Sequence, residues 1–183
     1  MNIIGKEVNS KCSDFSRVLN LIKTSFPKSE QYSIVWLRLL TVCKNYSFKA
    51  FYDGDFLCGI TYTVEMGDYV FVLYLAVVEE LRSKGYGSAI LQWIKACTSK
   101  KVVLNVEVPN PNASNSMQRE KRIDFYRKNG IVDTGYVFKD SQEELMVLSS
   151  DGTAPEINRY ERLLKYITLE FFSLGSFRYS LTT

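Results

Sequence analysis

Residues 75–90 of the chain read LAVVEELRSKGYGSAI, which is an apolar β-rich run, then a basic turn with two glycines, then the start of a helix. The apolar run begins further back, at Tyr69, and apolar residues recur at helical spacing through Ile90, Trp93 and Ile94. This change of period places the glycines between a buried strand and a helix. We therefore expect an α/β fold organised around this strand-to-helix turn.

The turn has the features of a phosphate-binding site. Gly85 and Gly87 let the backbone approach a ligand closely, and the first N–H groups of a helix have no intrahelical acceptor. The helix dipole favours an anion at this end, and Arg82 and Lys84 add positive charge. The alternative is a simple helix-start turn that binds no ligand.

Two common nucleotide-binding loops fit this turn badly. A nucleoside-triphosphate loop would end in Gly-Lys-Ser or Gly-Lys-Thr, and Ile90 stands where the dinucleotide fingerprint has its third glycine. What remains is Arg-x-x-Gly-x-Gly after a long strand. This pattern resembles the acyl-CoA pyrophosphate loop of the GNAT acetyltransferases, whose pattern is Arg/Gln-x-x-Gly-x-Gly/Ala.

A second segment resembles the same family. Residues 122–131 read RIDFYRKNGI and follow a predicted strand at 101–108. They are similar to the second GNAT signature, a helix ending in Phe/Leu-Tyr-x-x-x-Gly-Phe/Ile whose tyrosine lies near the thioester. The two patterns occur in the family's order and spacing, and the resemblance covers approximately residues 1–149. The chain is thus identified as a member of the GNAT superfamily, which implies acetyl-CoA as cosubstrate.

The composition favours one soluble domain. A chain of 183 residues with 46% hydrophobic content can bury about two-thirds of its unfolded surface in a single core. The 23 basic residues are dispersed among 20 acidic ones, for a net charge of +3, which disfavours nucleic-acid binding. No apolar run reaches the ~18 residues that span a membrane, and no signal peptide is evident. We therefore expect a cytoplasmic protein without a membrane or nucleic-acid partner.

The absence of histidine excludes several kinds of active site. Ser-His-Asp and Cys-His catalysis and histidine-ligated zinc are ruled out, so any general base must be a carboxylate, a tyrosine, a lysine or water. The four cysteines form no Cys-x-x-Cys pair and mostly occupy apolar positions, which predicts reduced thiols in a core. We expect no metal site.

The remaining patterns predict a mixed, mostly antiparallel sheet with flanking helices. We expect strands at 1–8, 47–52, 56–65, 69–78, 101–108, 131–139 and 143–149, and helices around 15–22, 32–43, 86–98 and 116–129. Asp53-Gly54-Asp55 supplies the positive φ of a tight hairpin turn. The predicted GNAT domain spans 1–149. Residues 150–183 form a C-terminal extension, with a helix at 155–172 packed on the domain or on a partner subunit.

The resemblance implies that the fourth and fifth strands splay apart and that the pantetheine arm pairs there like an added strand. Its backbone partners would be Leu75, Ala76 and Val77, because an opened strand edge offers unpaired N–H and C=O groups. Asn112 or Asn110, from the loop after the fifth strand, is a further candidate contact. The pyrophosphate would bind the turn itself, which comprises Arg82, Ser83, Lys84, Gly85, Tyr86, Gly87 and Ser88.

By its match to the family's tyrosine, Tyr126 is the candidate general acid. A thioester releases a thiolate whose conjugate pKa is near ~8.5, so a phenol within hydrogen-bond reach can stabilise or protonate it without being a strong acid. The alternative is an aromatic residue that only packs. The acceptor ammonium must lose a proton, and Glu107 on the fifth strand is the first candidate base, followed by Glu65, Asp68 or a water relay.

The second motif departs from the family at two positions. Many members have Asn seven residues before the tyrosine and Ala four before it, whereas this chain has Arg119 and Arg122. The two arginines could meet a phosphate or an anionic group of the substrate. The interpretation we favour at this point is exposed helix charges paired with Glu120 and Asp124.

The resemblance implies an N-acetyltransferase that moves an acetyl group from acetyl-CoA to a primary amine, and the absence of a cysteine with a base partner favours direct attack in a ternary complex. The acceptor would be a small-molecule amine or a peptide amine. The alternative is a non-catalytic acyl-CoA-binding module that acts as a sensor or scaffold, since a fold alone does not fix activity. The apolar face of the predicted 155–172 helix, with Phe171, Phe172 and Phe177, also suggests a homodimer.

Overall fold

The computed structural model describes residues 1–9, 12, 14–28, 31–139 and 144–168. These residues contain seven strands and five α-helices. The strands are β1 (Ile3–Glu7), β2 (Tyr46–Asp53), β3 (Phe56–Met66), β4 (Tyr69–Val77), β5 (Lys101–Glu107), β6 (Val132–Lys139) and β7 (Glu144–Ser149). The helices are α1 (Phe15–Ser25), α2 (Ile34–Leu40), α3 (Tyr86–Ala96), α4 (Ser116–Lys128) and α5 (Ile157–Thr168).

The strands form a sheet in the order β1-β2-β3-β4-β5-β7-β6. β4 and β5 pair in parallel, and β1–β2, β2–β3, β5–β7 and β6–β7 pair antiparallel. The parallel pairing joins Tyr69–Phe71 to Lys101–Val103. The pairing of the two strands ends at these residues, although both strands continue beyond them. The predicted mixed, mostly antiparallel α/β sheet is therefore confirmed.

The contacts divide the chain into two units. Unit 1 comprises residues 1–65 and 72–99, and unit 2 comprises residues 66–71 and 100–183. The first three residues of β4 thus belong to unit 2 and the remainder to unit 1. The predicted domain boundary at residue 149 falls within unit 2 and stays a prediction.

In unit 1, aromatic and β-branched residues of β2, β3 and β4 supply the buried core. Phe51 is buried and contacts Trp93 of α3 edge-on, with ring centroids 5.1 Å apart. Gly59 of β3 is required by a close approach, because a Cβ there would lie 2.5 Å from the carbonyl oxygen of Ala76. The predicted hairpin turn is confirmed, and Gly54 has φ 59° as a tight turn requires.

In unit 2, α5 packs through Tyr160, which is 3% exposed. Its ring meets Phe71 and Phe138 edge-on at centroid distances of 6.0 Å, and its hydroxyl donates to Asn105 Oδ1. At least part of the apolar face of the C-terminal extension is therefore buried within its own chain. Phe171, Phe172 and Phe177 lie outside the described residues, and the homodimer stays a prediction.

Candidate functional site

The glycine turn in unit 1 has the backbone of an anion cradle. One turn of 3₁₀ helix at Glu79–Leu81 follows β4, and the chain then takes positive φ at Ser83 (60°) and at Gly85 (87°) before α3 begins at Tyr86. Gly85 is the N-cap of α3 in the left-handed conformation, which glycine adopts without steric penalty. Ser83 adopts it as a non-glycine residue, and such positions cluster at ligand-binding turns.

Several N–H groups of this turn are available to a ligand. The first α-helical hydrogen bond of α3 runs from Ala89 N to Gly85 O at 3.0 Å, so Tyr86, Gly87 and Ser88 precede it and have no intrahelical acceptor. Within the described residues, the structure gives these three N–H groups no other backbone acceptor. Residues 82–85 are exposed. The helix N-terminus therefore presents donors and positive potential to solvent.

The side chain of Tyr86 is held away from this cradle. Its hydroxyl donates a hydrogen bond of 2.9 Å to Asp53 Oδ2 in the β2–β3 turn, and this bond is the main reason that the pKa of Tyr86 is raised. Tyr86 and Asp53 border a cavity of about 740 Å³ whose rim also carries Asp55 and Glu80. These three carboxylates outnumber Arg17, the one cation among the described lining residues, and disfavour a phosphate there, so the backbone of the turn remains the better anion site.

The last residues of β4 carry the predicted pantetheine contacts. Ala76 is buried, and Leu75 and Val77 are half-buried. The carbonyl oxygen of Val77 lies 3.4 Å from Arg82 Nε, so the arginine folds back over the strand end while remaining exposed. This contact keeps one cation of the turn next to the strand that would align the cofactor arm.

Tyr126 lies in unit 2 on the buried side of α4. It is 8% exposed, and its ring meets Phe125 edge-on with centroids 5.1 Å apart. Burial raises the pKa of Tyr126 to about 12, and the positive charge of Arg122 opposes this rise. The phenol therefore keeps its proton throughout the physiological range, as a general acid must.

The raised pKa of Tyr126 predicts a loss of stability in alkali. The unfolded chain releases this proton near pH 10 and the folded chain only near 12, so the contribution is present below pH 10 and is lost as the pH rises through 12. We expect the free energy of unfolding of wild type to fall by about 1 kcal/mol more than that of Tyr126→Phe between pH 9 and 11. Urea denaturation at both pH values measures this, and equal losses would contradict it.

Glu107, the last residue of β5, is a buried carboxylate at the centre of a charged cluster. It is 5% exposed and accepts hydrogen bonds from Asn115 Nδ2 at 3.1 Å and from Arg122. Arg119 Nε lies 3.7 Å from the same carboxylate. We call these four residues, Glu107, Asn115, Arg119 and Arg122, the Glu107 cluster.

The structure corrects one expectation about α4. Arg122 does not pair with Asp124; it pairs with Glu107, and Asp124 is 3.1 Å from Arg127 instead. Arg119 is anchored as well, because Nε donates to Asn115 Oδ1 at 2.8 Å and a terminal nitrogen donates to Val108 O at 3.1 Å. Asn115 was not among the predicted site residues, since nothing in its spacing marks a contact with a strand residue.

The remaining candidates are more exposed. Asn112 lies in the loop after β5, where its backbone N–H donates to Asn110 Oδ1 at 2.9 Å. Glu65 is exposed at the end of β3, and Asp68 lies 3.8 Å from Arg159.

Within the described residues, no group of three or more His, Cys, Asp or Glu side chains could hold a metal ion. In that same part of the chain, no helix is long and apolar enough to cross a membrane.

Comparisons with known proteins agree with this architecture. The family described as "Acetyltransferase (GNAT) family" matches residues 15–131. A GNAT-family protein from Bacteroides thetaiotaomicron has 19% identity and a TM-score of 0.68, with 94% of this chain and 99% of that chain covered. Naa50 of Arabidopsis thaliana, in complex with the bisubstrate analogue CoA-Ac-MVNAL, has 20% identity, a TM-score of 0.58 and coverage of 81% and 98%.

A third solved structure is similar to the chain over the same region. PaiA N-acetyltransferase from Thermoplasma acidophilum, in complex with coenzyme A, has 15% identity and a TM-score of 0.58, with 80% of this chain and 98% of that chain covered. No curated protein matches the sequence at a significant level. At these identities the solved structures establish a shared fold, and the match of the acetyltransferase (GNAT) family to residues 15–131 establishes family membership.

Proposed function

Because the chain belongs to the acetyltransferase (GNAT) family, we propose that it transfers an acetyl group from acetyl-CoA to a primary amine by direct attack in a ternary complex. The observation that carries the proposal is the glycine turn, whose positive φ at Ser83 and Gly85 precedes a helix N-terminus with three N–H groups that have no backbone acceptor in the described part of the chain. The donor set of this turn fits the pyrophosphate of coenzyme A, because it offers several N–H groups to one anion.

In this proposal the residues of unit 1 bind the cosubstrate. Backbone N–H groups between Arg82 and Ser88 hold the pyrophosphate. Those of Tyr86, Gly87 and Ser88 lead this set, because the N–H groups of Arg82 and Lys84 already donate to backbone carbonyls at 3.1 and 3.4 Å. The side chains of Arg82 and Lys84 add charge that strengthens the binding of an anion. The backbone at Leu75–Val77 pairs with the pantetheine arm as an added strand would. Asn112 remains a proposed contact from the exposed loop after β5.

In unit 2, we assign the general acid to Tyr126. The acceptor nitrogen forms a bond to the thioester carbonyl carbon, the carbon–sulfur bond breaks, and the electron pair goes to sulfur. Tyr126 donates a hydrogen bond, and along it a proton, to this thiolate and regains the proton from solvent. Because the pKa of Tyr126 is about 12 and that of the thiol is near ~8.5, complete transfer to sulfur is uphill, so the main effect of the phenol is to stabilise the developing thiolate through the hydrogen bond.

The base that removes a proton from the acceptor ammonium is either Glu107 or a water relay. Glu107 already accepts hydrogen bonds from Asn115 and Arg122 and faces Arg119, so it would have to exchange one of these donors for the substrate proton. A relay that ends in solvent needs no such exchange. Replacement of Glu107 by Gln therefore separates the two routes, because loss of the base would lower kcat for every acceptor.

A covalent acetyl-enzyme is disfavoured. Cys58 is fully buried and burial raises the pKa of its thiol, which reduces the fraction of reactive thiolate. The chain contains no histidine that could activate Cys12, Cys43 or Cys97. Direct attack requires only an oriented amine and a bound thioester, in agreement with this set of residues.

Coenzyme A binding should stabilise the protein against heat. A ligand that binds only the native state adds about 2.7 kcal/mol at a hundredfold excess over Kd, which raises Tm by roughly 5–10 °C in a chain of this size. Thermal unfolding with and without coenzyme A measures the shift, and AMP, which lacks the pyrophosphate and the pantetheine arm, is the control ligand. An unchanged Tm with saturating coenzyme A would contradict the proposed site.

A screen of primary amines with acetyl-CoA, read as release of free thiol, tests the reaction itself. The proposal requires an amine-dependent rate above hydrolysis. If coenzyme A stabilises the protein but no amine in the panel accelerates thiol release, the chain is instead a non-catalytic acyl-CoA-binding module.

A further inference from the structure

The Glu107 cluster lies in a partly buried place. The side chain of Glu107 is 6% exposed, that of Arg119 is 15% exposed, and that of Arg122 is 39% exposed. Two guanidinium groups thus face one carboxylate. In surroundings that are poorer in water than the bulk, a partly buried guanidinium such as that of Arg122 attracts an anion more strongly than an exposed arginine would.

The two arginines differ in how many donors they have already committed. Arg119 donates to Asn115 and to the backbone at Val108, which fixes it in the framework of α4 and β5. For Arg122, the structure gives one acceptor within the described residues, and that acceptor is Glu107. A guanidinium has five N–H donors, so Arg122 retains donors on its solvent-accessible side.

Arg122 lies beside the proposed general acid. It precedes Tyr126 by four residues on α4, and side chains at this spacing are neighbours on one helix face. Its charge also acts on the phenol, since it opposes the rise in the pKa of Tyr126. In an acetyl transfer, the proton donor and the attacking amine both meet the thioester, so an anion attached near that amine comes within reach of Arg122.

We propose that Arg122 binds a carboxylate of the acceptor, so that the substrate class is an amine that also carries an anionic group, such as an amino acid. This inference rests on the proposed acetyl transfer. Arg122 forms the fork geometry that pairs with a carboxylate through two parallel hydrogen bonds. Glu107 is then a positioning residue that holds Arg122 in place.

The experiment compares acceptors that differ in one carboxylate. Amino acids and their amides are assayed by release of coenzyme A, with kcat and KM measured for wild type, Arg122→Gln, Arg122→Lys and the control Arg127→Gln. Arg127 is an exposed arginine on the same helix, paired with Asp124. Conversion of an amino acid to its amide also changes the reactivity of the amine. The readout is therefore the ratio of kcat/KM for the amino acid to kcat/KM for its amide, and this ratio is compared between the protein variants.

We expect wild type to prefer the carboxylate member of each pair. Arg122→Gln should raise KM for that member by roughly 10–100-fold, as loss of a charge-assisted hydrogen bond does, and leave KM for the amide unchanged. Arg122→Lys should recover part of the preference, and Arg127→Gln should leave it intact. Glu107→Gln should raise KM for carboxylate acceptors alone if it positions Arg122, whereas loss of a base would lower kcat for every acceptor.

Four results would overturn the inference. The first is a wild-type enzyme that uses the amino acid and its amide equally, and the second is an Arg122→Gln variant whose carboxylate-to-amide ratio of kcat/KM equals that of wild type. The third is a Glu107→Gln variant that loses kcat on all acceptors. The fourth is weaker coenzyme A binding by Arg122→Gln, with all acceptors affected alike. The last would mean that the anion belongs to coenzyme A. Thermal unfolding of each variant without ligand shows that it is folded, and calorimetry then measures its affinity for coenzyme A. Absence of transfer to any amine would instead refute the proposed function, and this inference with it.

Discussion

Replacement of Tyr126 by phenylalanine is expected to lower the turnover number by about 10²–10⁴-fold, the usual contribution of a general acid or base. The change removes only the hydroxyl, and the ring keeps its buried position against Phe125. The thiolate is a weakly basic leaving group, which favours the lower end of this range. Affinity for coenzyme A should be retained, because the phenol acts on the sulfur only as the carbon–sulfur bond breaks.

Steady-state release of coenzyme A with an amine from the screen gives the rate, and calorimetry gives the affinity. Tyr136→Phe is the matched control, since Tyr136 is a half-buried tyrosine in the same unit that the proposal gives no catalytic role. If Tyr126→Phe turns over like wild type, Tyr126 only packs. If binding and rate decline by the same factor, the hydroxyl positions the cosubstrate instead.

The sequence predicted the elements that depend on local pattern. β4, the glycine turn and α3 follow one another within thirty residues, and the switch from a buried apolar run to helical spacing is visible without tertiary information. The positive φ of Gly85 was implied by its residue type at a helix start. Ser83 takes positive φ as well, and its residue type gave no sign of it.

The contacts that depend on tertiary packing were beyond reach of the sequence. Glu107 and Arg122 are fifteen residues apart on different elements, so no helical or strand period relates them. The pattern on α4 instead suggested pairing of Arg122 with Asp124, and packing of α4 near the end of β5 decided otherwise. The hydrogen bond from Tyr86 to Asp53 joins two turns across thirty-three residues for the same reason.

The locally encoded glycine turn and the tertiary side-chain contacts have different proposed roles. The proposed cosubstrate site consists mainly of backbone N–H groups, so its signature is a local sequence of glycines and a helix start. The proposed acceptor contact is a side chain that another side chain holds in place. On the proposal that Arg122 binds the acceptor, substitution at position 122 changes acceptor preference while the glycine turn remains intact.

Gly87→Glu is expected to weaken coenzyme A binding by about 100-fold or more, because a like charge placed against an anion costs several kcal/mol at an interface. Gly87 is the second residue of α3, within the turn whose N–H groups are proposed to hold the pyrophosphate. The change should not damage the fold. Glutamate is a better helix former than glycine, and a negative charge in the first turn is favourable to the helix dipole.

Because Gly87→Glu should weaken coenzyme A binding without destabilising the fold, it is a specific probe of the turn. Gln92→Glu introduces the same charge at an exposed position on the same helix, outside its first turn, and should bind coenzyme A as wild type does. Gly87→Ala adds a methyl group without charge and separates steric from electrostatic loss. Calorimetric titration measures all three, and thermal unfolding without ligand should show Gly87→Glu at least as stable as wild type. If Gly87→Glu binds coenzyme A as tightly as Gln92→Glu, the pyrophosphate does not lie at the N-terminus of α3.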